Sequence, residues 1–206
     1  MVLKRDGAIA ILGLIGLVML VSFLVLPGTM TEDPISILVR LFALYGYLFL
    51  SVATLTTPFL REVTLAFGKP FLRVHHAFAA IGVVLITLHP IFFAVQQVSL
   101  AVFIPSFKSW SSFWMLAGRP ALIIIYIAVF AAFLRTKALK YWRSFHALMY
   151  VALLFGIVHG HLMSDDFQNP LIAVIFDVLF LLSLGGFALK RYLTYQNRRR
   201  LAASLT

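Results

Sequence analysis

Six long apolar stretches constrain what this chain of 206 residues can fold into. Of its residues, 62% are hydrophobic and only 12% are charged. A continuous apolar stretch of about 18 or more residues is typical of a membrane-spanning helix, whereas a membrane β-barrel shows short strands of alternating polarity. The sequence therefore predicts an all-α integral membrane bundle of six helices, forming a single domain over residues 1–206. The predicted helices span about residues 8–26, 35–56, 71–95, 113–134, 142–163 and 171–192.

The connection between the third and fourth apolar stretches differs from the others. Residues Gln96–Ser112 are polar and aromatic, and Trp110 and Trp114 lie near the end of this connection. Tryptophan rings favour the boundary between lipid and water. We therefore predict a loop or a short surface helix here.

Basic residues are concentrated at one set of helix ends. The net charge is +10, but the Lys and Arg residues lie in short connections between apolar stretches, which argues against nucleic-acid binding. Cytoplasmic connections of membrane proteins carry an excess of Lys and Arg. We predict a multi-pass protein of the cell membrane with both termini in the cytoplasm. The side predicted to face the cytoplasm carries Lys4, Arg5, Arg61, Lys69, Arg73, Arg135, Lys137, Lys140, Arg143, Lys190, Arg191, Arg198, Arg199 and Arg200, and the other side Arg40, Lys108 and Arg119.

Four histidines lie within two of the apolar stretches. His75 and His89 are fourteen residues apart in the third predicted helix, and His146 and His159 are thirteen apart in the fifth. Ionisable side chains are costly inside a membrane and usually have a function there. Both helices start on the cytoplasmic side. A helical rise of about 1.5 Å per residue therefore places the two histidines of each helix roughly 20 Å apart in depth within the membrane.

Matched depths predict two pairs of axial ligands for heme iron between the third and fifth helices. His75 is level with His146 on the inner side, and His89 is level with His159 on the outer side. Neutral imidazole is a good axial ligand for heme iron. The absence of cysteine excludes a covalently attached heme and thiolate-bound clusters, so we expect non-covalent heme b, two per chain. One heme instead of two, and His76 instead of His75, remain open alternatives.

The angular positions of the histidines test this pairing. Fourteen residues at about 100° each fall about 40° short of four turns, so His75 and His89 share a helix face, whereas His76 and His89 are about 140° apart. The spacing of thirteen in the fifth helix gives the same unfavourable angle. We expect a π-bulge, or a kink near Gly156, to realign its two histidines. A single membrane histidine is often only a packing residue, but four at matched depths favour ligation.

Three parts of the sequence resemble the ferric reductase-like transmembrane superfamily. Its third helix is similar to residues 72–90 (LRVHHAFAAIGVVLITLHP), its fifth to residues 141–159 (YWRSFHALMYVALLFGIVH), and the start of its fourth to Gly118-Arg119-Pro120. The superfamily includes ferric reductases, NADPH oxidases and the membrane subunit of the bacterial periplasmic methionine sulfoxide reductase, and its histidine spacings are also fourteen and thirteen. The resemblance covers about residues 35–192. It implies a six-helix heme domain that moves electrons across the membrane.

The sequence also departs from that superfamily. Ferric reductases and NADPH oxidases usually continue into a cytoplasmic domain for FAD and NAD(P)H, but no Gly-rich dinucleotide fingerprint occurs here. The resemblance thus implies the membrane component of an oxidoreductase. Its electrons would come from a separate flavoprotein, from quinol, or from a bound flavin or quinone. Its outer-face acceptor would be a ferric chelate, oxygen or a partner protein. The methionine sulfoxide reductase subunit is described as lacking the first histidine, which is His75 here, so that identity is not assigned.

Cationic side chains near the helix ends are candidates for binding heme propionates, because arginine binds carboxylates through two parallel hydrogen bonds. Arg119 is the better candidate because the outer side is poor in cations, and Arg40 also lies there. Arg143 is a second candidate at the inner end of the fifth helix. For Arg143 and Arg73, membrane topology alone explains the charge at least as well.

Two further ionisable residues lie near the outer side. His161 follows His159 closely. It is a candidate for accepting protons, binding a metal ion substrate or contacting a propionate, although a solvated loop histidine is the simpler interpretation. Asp177 falls inside the sixth predicted helix, where we expect it to have a partner, for example an arginine.

Two other classes of function compete with the electron-transfer interpretation. One is a proton- or metal-coupled transporter that uses the intramembrane histidines, and the other is a structural membrane subunit without a cofactor. Both predict a colourless protein. Heme with two histidine ligands instead gives a sharp Soret band and, when reduced, an α-band.

Overall fold

Helices form nearly all of the chain. The computed structural model describes residues 4–29, 32–137 and 140–203; the remaining residues of the predicted domain, 1–3, 30–31, 138–139 and 204–206, lie outside the described residues. No strand occurs in the described ranges, so the all-α prediction is confirmed there. In chain order the helices are α1 (Arg5–Val25), α2 (Pro34–Leu55), α3 (Leu60–Phe67), α4 (Phe71–Gln97), α5 (Trp110–Met115), α6 (Gly118–Phe133), α7 (Trp142–His146), α8 (Met149–Met163) and α9 (Pro170–Ala203).

Six segments are long and apolar enough to cross a bilayer. They are Arg5–Val25, Pro34–Leu55, Phe71–Gln97, Gly118–Thr136, Trp142–Met163 and Pro170–Arg200. Many of their large apolar side chains face outward, as Phe23 and Leu181 do with 72% and 61% of their surface exposed. Such a surface is unfavourable in water and suits lipid, because lipid tails are as apolar as leucine. The chain therefore has the architecture of a multi-pass membrane protein, as predicted.

Several helix limits differ from the prediction. The fourth membrane helix was expected from residue 113, but α5 ends at Met115 and α6 begins only at Gly118. The turn between them is closed by a hydrogen bond of the 3-10 type, from Ala117 N–H to the Trp114 carbonyl three residues earlier, at 3.2 Å. The sixth helix continues to Ala203 rather than to residue 192, because its polar basic end stays helical outside the apolar stretch. The short helix α3 was not predicted. As expected, α5 is a short helix at the end of the aromatic connection.

The start of α2 is fixed by a cap. The Asp33 side chain accepts hydrogen bonds from Ile35 N–H at 2.8 Å and Ser36 N–H at 3.1 Å, and Pro34 occupies the first helical position. Aspartate at the cap and proline just after it are the preferred residues for a helix start. The Ser36 hydroxyl also donates to Asp33, and this bond lowers the pKa of that carboxyl below its ordinary value.

Helices α2 and α4 approach closely through two glycines. A Cβ on Gly46 of α2 would lie 2.7 Å from Ile86 N, and a Cβ on Gly82 of α4 would lie 2.8 Å from Leu50 N. Neither position has room for a side chain, because the obstacle is backbone. The two helices therefore form a tight antiparallel pair, which carries two of the four predicted ligands on α4.

Candidate functional site

The inner histidine pair is brought together by the fold. His75 lies in the second turn of α4 and His146 is the last residue of α7. Their ring centroids are 6.2 Å apart and the ring planes are inclined by 73°. Two imidazoles that bind one metal atom from opposite sides, each with a bond of about 2 Å, have ring centres roughly 6 Å apart. The separation of this pair therefore suits axial ligation.

The outer pair lines one cavity. His89 of α4 and His159 of α8 both border a cavity of about 340 Å³, enclosed mainly by apolar side chains of α2, α4, α6 and α8. A Cβ on Gly118, the first residue of α6, would lie 2.7 Å from Cδ2 and 2.9 Å from Nε2 of His159. The backbone of α6 is thus packed directly on this imidazole. The two outer histidines therefore border the same cavity, whereas the two inner rings lie close together.

Each of the four histidines is held in the same way. The Nδ1 atom of each ring donates a hydrogen bond to a backbone carbonyl, since a carbonyl can only accept. The bonds are His75 to Ala53 O at 3.0 Å, His89 to Val39 O at 2.9 Å, His146 to Ala128 O at 3.0 Å and His159 to Met115 O at 2.6 Å. A bond from Nδ1 fixes the tautomer with an unprotonated Nε2. Metal-ligating histidines characteristically donate their other ring N–H in this manner.

The carbonyl acceptors repeat the spacing of the histidines. The two acceptors on α2 are fourteen residues apart, as are the two histidines of the following α4. The acceptor at the end of α5 and the one in α6 are thirteen apart, as are the histidines of α7 and α8. Each histidine-bearing segment is therefore held in one antiparallel register by the membrane helix before it. Sequence analysis missed these acceptors, because backbone carbonyls have no residue signature.

A tighter turn between α7 and α8 explains how His146 and His159, thirteen residues apart, approach the same side of their segment. Between α7 and α8, Leu148 N–H bonds to Phe145 O and Tyr150 N–H bonds to Ala147 O, both at 3.1 Å. Such three-residue turns advance the chain by about 120° per residue instead of about 100°. This extra rotation reduces the angle around the helix axis that separates His146 from His159. The π-bulge expected for this segment is therefore replaced by a tighter turn, and α8 continues as α-helix through Gly156.

His76 is placed differently from the other four. It is exposed on α4, and its ring lies 5.9 Å from that of His75, measured between centroids. Within the described part of the chain its ring makes no hydrogen bond to a carbonyl of the kind that holds the others. The geometry thus favours His75 over His76 as the inner ligand.

The two candidate arginines have different surroundings. Arg119 lines the outer cavity, and its Nη1 donates to Ile104 O at 2.7 Å. No carboxylate of the described residues forms a salt bridge with it, so its charge is available to an anionic group. Arg143 is exposed, and its guanidinium lies over the Trp142 ring at 5.7 Å. Of these two arginines, Arg119 is the one that borders the cavity lined by the outer histidine pair.

Arg40 also lines the outer cavity but is already compensated. Its guanidinium forms salt bridges with Glu32 and Asp166. It is therefore not a free cation for a propionate.

Asp177 has a partner other than the expected arginine. Its Oδ1 lies 2.8 Å from Nε2 of His161, and the His161 ring contacts Phe167 at 4.7 Å between centroids. His161 is in the last turns of α8 rather than in a loop. Both side chains are exposed at the surface between α8 and α9, by 39% and 45%. Asp177 therefore has a partner, as expected, and that partner is His161 rather than an arginine.

The donor set fits heme better than a bare metal ion. In the residues that the structure describes, no group of three or more His, Cys, Asp or Glu side chains is arranged to hold a metal ion. Heme iron needs only its two axial ligands from the protein, because the porphyrin supplies the other four. The paired imidazoles, the apolar cavity and the free Arg119 all suit that group.

Comparisons with known proteins do not extend this description. No family model, no curated protein and no solved structure matches the chain. The resemblance to the ferric reductase-like superfamily rests on the sequence motifs alone.

Proposed function

We propose that the chain is a transmembrane b-type cytochrome, the membrane component of an oxidoreductase of the ferric reductase-like kind. It holds two hemes b, one between His75 and His146 and one between His89 and His159. Electrons pass from a cytoplasmic or membrane donor to an acceptor at the outer face. The observation that carries this proposal is that each of the four histidines donates a hydrogen bond from Nδ1 to a backbone carbonyl.

That arrangement does what a heme site requires of a protein. Each carbonyl removes the freedom of one imidazole to rotate or to change tautomer, which leaves the Nε2 lone pair for iron. The imidazole ligands are neutral when they bind through an unprotonated Nε2, so the ligands themselves add no charge to the apolar interior. Arg119 provides a cation at the outer cavity for a propionate, through charge-assisted hydrogen bonds.

When bound, heme supplies reversible one-electron chemistry, and the protein sets ligation, access and environment. The lining of the outer cavity is mainly apolar, so the outer pair lies in surroundings of low polarity. The histidines of each helix are roughly 20 Å apart along the helix axis, so that two hemes together cover most of a hydrocarbon core about 30 Å thick. We infer a separate flavoprotein or a quinol as the donor.

The direct test is the pigment of the purified full chain in detergent. We expect a Soret band and a sharp α-band on reduction, with about two hemes b per chain, because each chain offers two imidazole pairs. A ratio near one that does not fall during purification would overturn the two-heme form. A colourless protein, after expression with ample heme, would overturn the cytochrome proposal and favour a transporter or a structural subunit.

A further inference from the structure

An ion cluster lies beside the outer cavity. Arg40 of α2 donates from Nε to Asp166 Oδ2 at 3.1 Å and from Nη2 to Asp166 Oδ1, which makes a two-pronged bridge. Its Nη1 bonds to Glu32. The Asp166 side chain is only 2% exposed, and the Ser164 hydroxyl donates to it at 3.2 Å. Charge-assisted forks of this kind are geometrically specific as well as strong.

The bridge joins the two segments that hold the outer histidines. Arg40 directly follows Val39, whose carbonyl accepts the bond from His89. Asp166 lies in the 3-10 turn Asp165–Gln168, which follows the helix that carries His159. The bridge therefore connects the support of one outer ligand with the chain just beyond the other.

Few other polar contacts connect α2 with α8 in the described chain. The Tyr47 hydroxyl donates to Leu153 O at 3.2 Å, which lies deeper in the bundle, below the outer histidines. On the outer side, Arg40 lines the cavity, and Asp166 borders a second, neighbouring pocket together with Arg40 and Glu32. A two-pronged bridge between a helix and a turn fixes their spacing more narrowly than apolar packing does, because its geometry is specific.

We propose that Arg40 and Asp166 form a positioning pair that sets the spacing of His89 and His159. This inference rests on the proposed function and concerns the outer site only. Arg40→Gln leaves the Asp166 carboxylate buried without its cation, and Asp166→Asn leaves Arg40 paired with Glu32. Either change removes the two-pronged bridge that holds the turn against α2. The inner pair is supported by Ala53 and Ala128 and does not depend on the bridge.

The test compares Arg40→Gln, Asp166→Asn and Arg40→Lys with the unchanged chain. Heme content, low-temperature EPR of the oxidised protein and a spectroelectrochemical titration are measured, and the outer signals are assigned from a His89→Ala variant. We expect Arg40→Gln and Asp166→Asn to lower the affinity for the outer heme about 10–100-fold, or to shift its iron from low to high spin. Loss of a residue that holds a metal ligand in place typically has an effect of this size. Arg40→Lys keeps the charge without the fork, so an intermediate result is expected.

Lys108→Gln is the matched control, because Lys108 is an exposed cation on the same side. Unchanged outer-site spectra in Arg40→Gln and Asp166→Asn, with two hemes present, would overturn this inference and leave the proposed function intact. Equal losses at both sites would overturn the positioning role in favour of general stability. If the chain without any substitution contains no heme, the proposed function itself is overturned.

Discussion

At the scale of single residues, the site depends on which ring nitrogen each histidine leaves free. All four use Nδ1 for a backbone carbonyl, which leaves Nε2 for the proposed heme iron. We expect His89→Ala and His159→Ala each to remove the outer heme and to preserve the inner one, because one missing axial ligand disrupts only its own pair. The heme-to-chain ratio should fall from about two to about one. Loss of both hemes in either variant would contradict the assignment by depth.

The neighbouring histidines of α4 give a second test at this scale. His75 is half-buried and bonded to Ala53 O, whereas His76 is exposed. We therefore expect His75→Ala to lose the inner heme and His76→Ala to keep it. Heme content and the EPR signals of the two variants provide the measurement. The reverse result would mean that the ligand register is shifted by one residue.

Sequence reasoning reached the histidines but not their supports. Hydropathy and depth predicted the pairing, because helical rise is nearly constant. The structure places His75 near His146, and His89 on the same cavity as His159. The acceptor carbonyls belong to Val39, Ala53, Met115 and Ala128, and nothing in these side chains marks them. Asp177 was recognised as needing a partner. Its partner, His161, lies sixteen residues away across a turn whose geometry the sequence does not reveal.

At the scale of helices, glycines set how closely α2 approaches α4 and how closely α6 approaches His159. A side chain at Gly46 would meet the backbone of α4, and one at Gly118 would meet the His159 ring. We expect Gly46→Val to weaken heme retention at both sites, because both histidines of α4 bond to α2. We expect Gly118→Val to affect only the outer site. Heme content per chain and the EPR signal of each site provide the measurement.

Gly13→Val is the matched control for both substitutions. Gly13 lies in α1, and a Cβ there meets nothing within 4 Å. Its expected result is unchanged heme content. An equal loss of heme in the Gly13 variant would mean that valine in a membrane helix is harmful here for reasons unrelated to the site.

The helices themselves could largely be predicted, whereas their interruptions could not. Continuous apolar stretches located all six spans, since length and hydropathy decide which segments cross lipid. The breaks at Leu116–Ala117 and Ala147–Leu148 occur inside apolar sequence. They arise from the hydrogen bonds of particular turns, which hydropathy does not record. The second break is nevertheless the feature that accommodates the thirteen-residue spacing.

At the scale of the whole molecule, the two ends of the bundle differ in charge. The basic side chains at the predicted inner ends are exposed, among them Arg61, Arg73, Arg135, Arg143 and Lys190. At the other end, Glu32 and Asp166 are paired with Arg40. The excess of cations at one end predicts its cytoplasmic location. The same charge would attract an acidic donor protein to the level of His75 and His146.

The last prediction concerns the direction of electron flow. We expect electrons to enter beside the inner histidine pair and to leave beside the outer pair, near Arg119 and His161. The purified chain is reconstituted in liposomes with an acidic flavoprotein or a quinol donor on one side and an impermeant acceptor on the other. Acceptor reduction should occur only when the donor faces the basic side. With the flavoprotein, the rate should fall as salt increases, because screening weakens electrostatic steering. A salt-independent flavoprotein rate would mean that the charge serves topology alone, and equal rates from both sides would contradict directional flow.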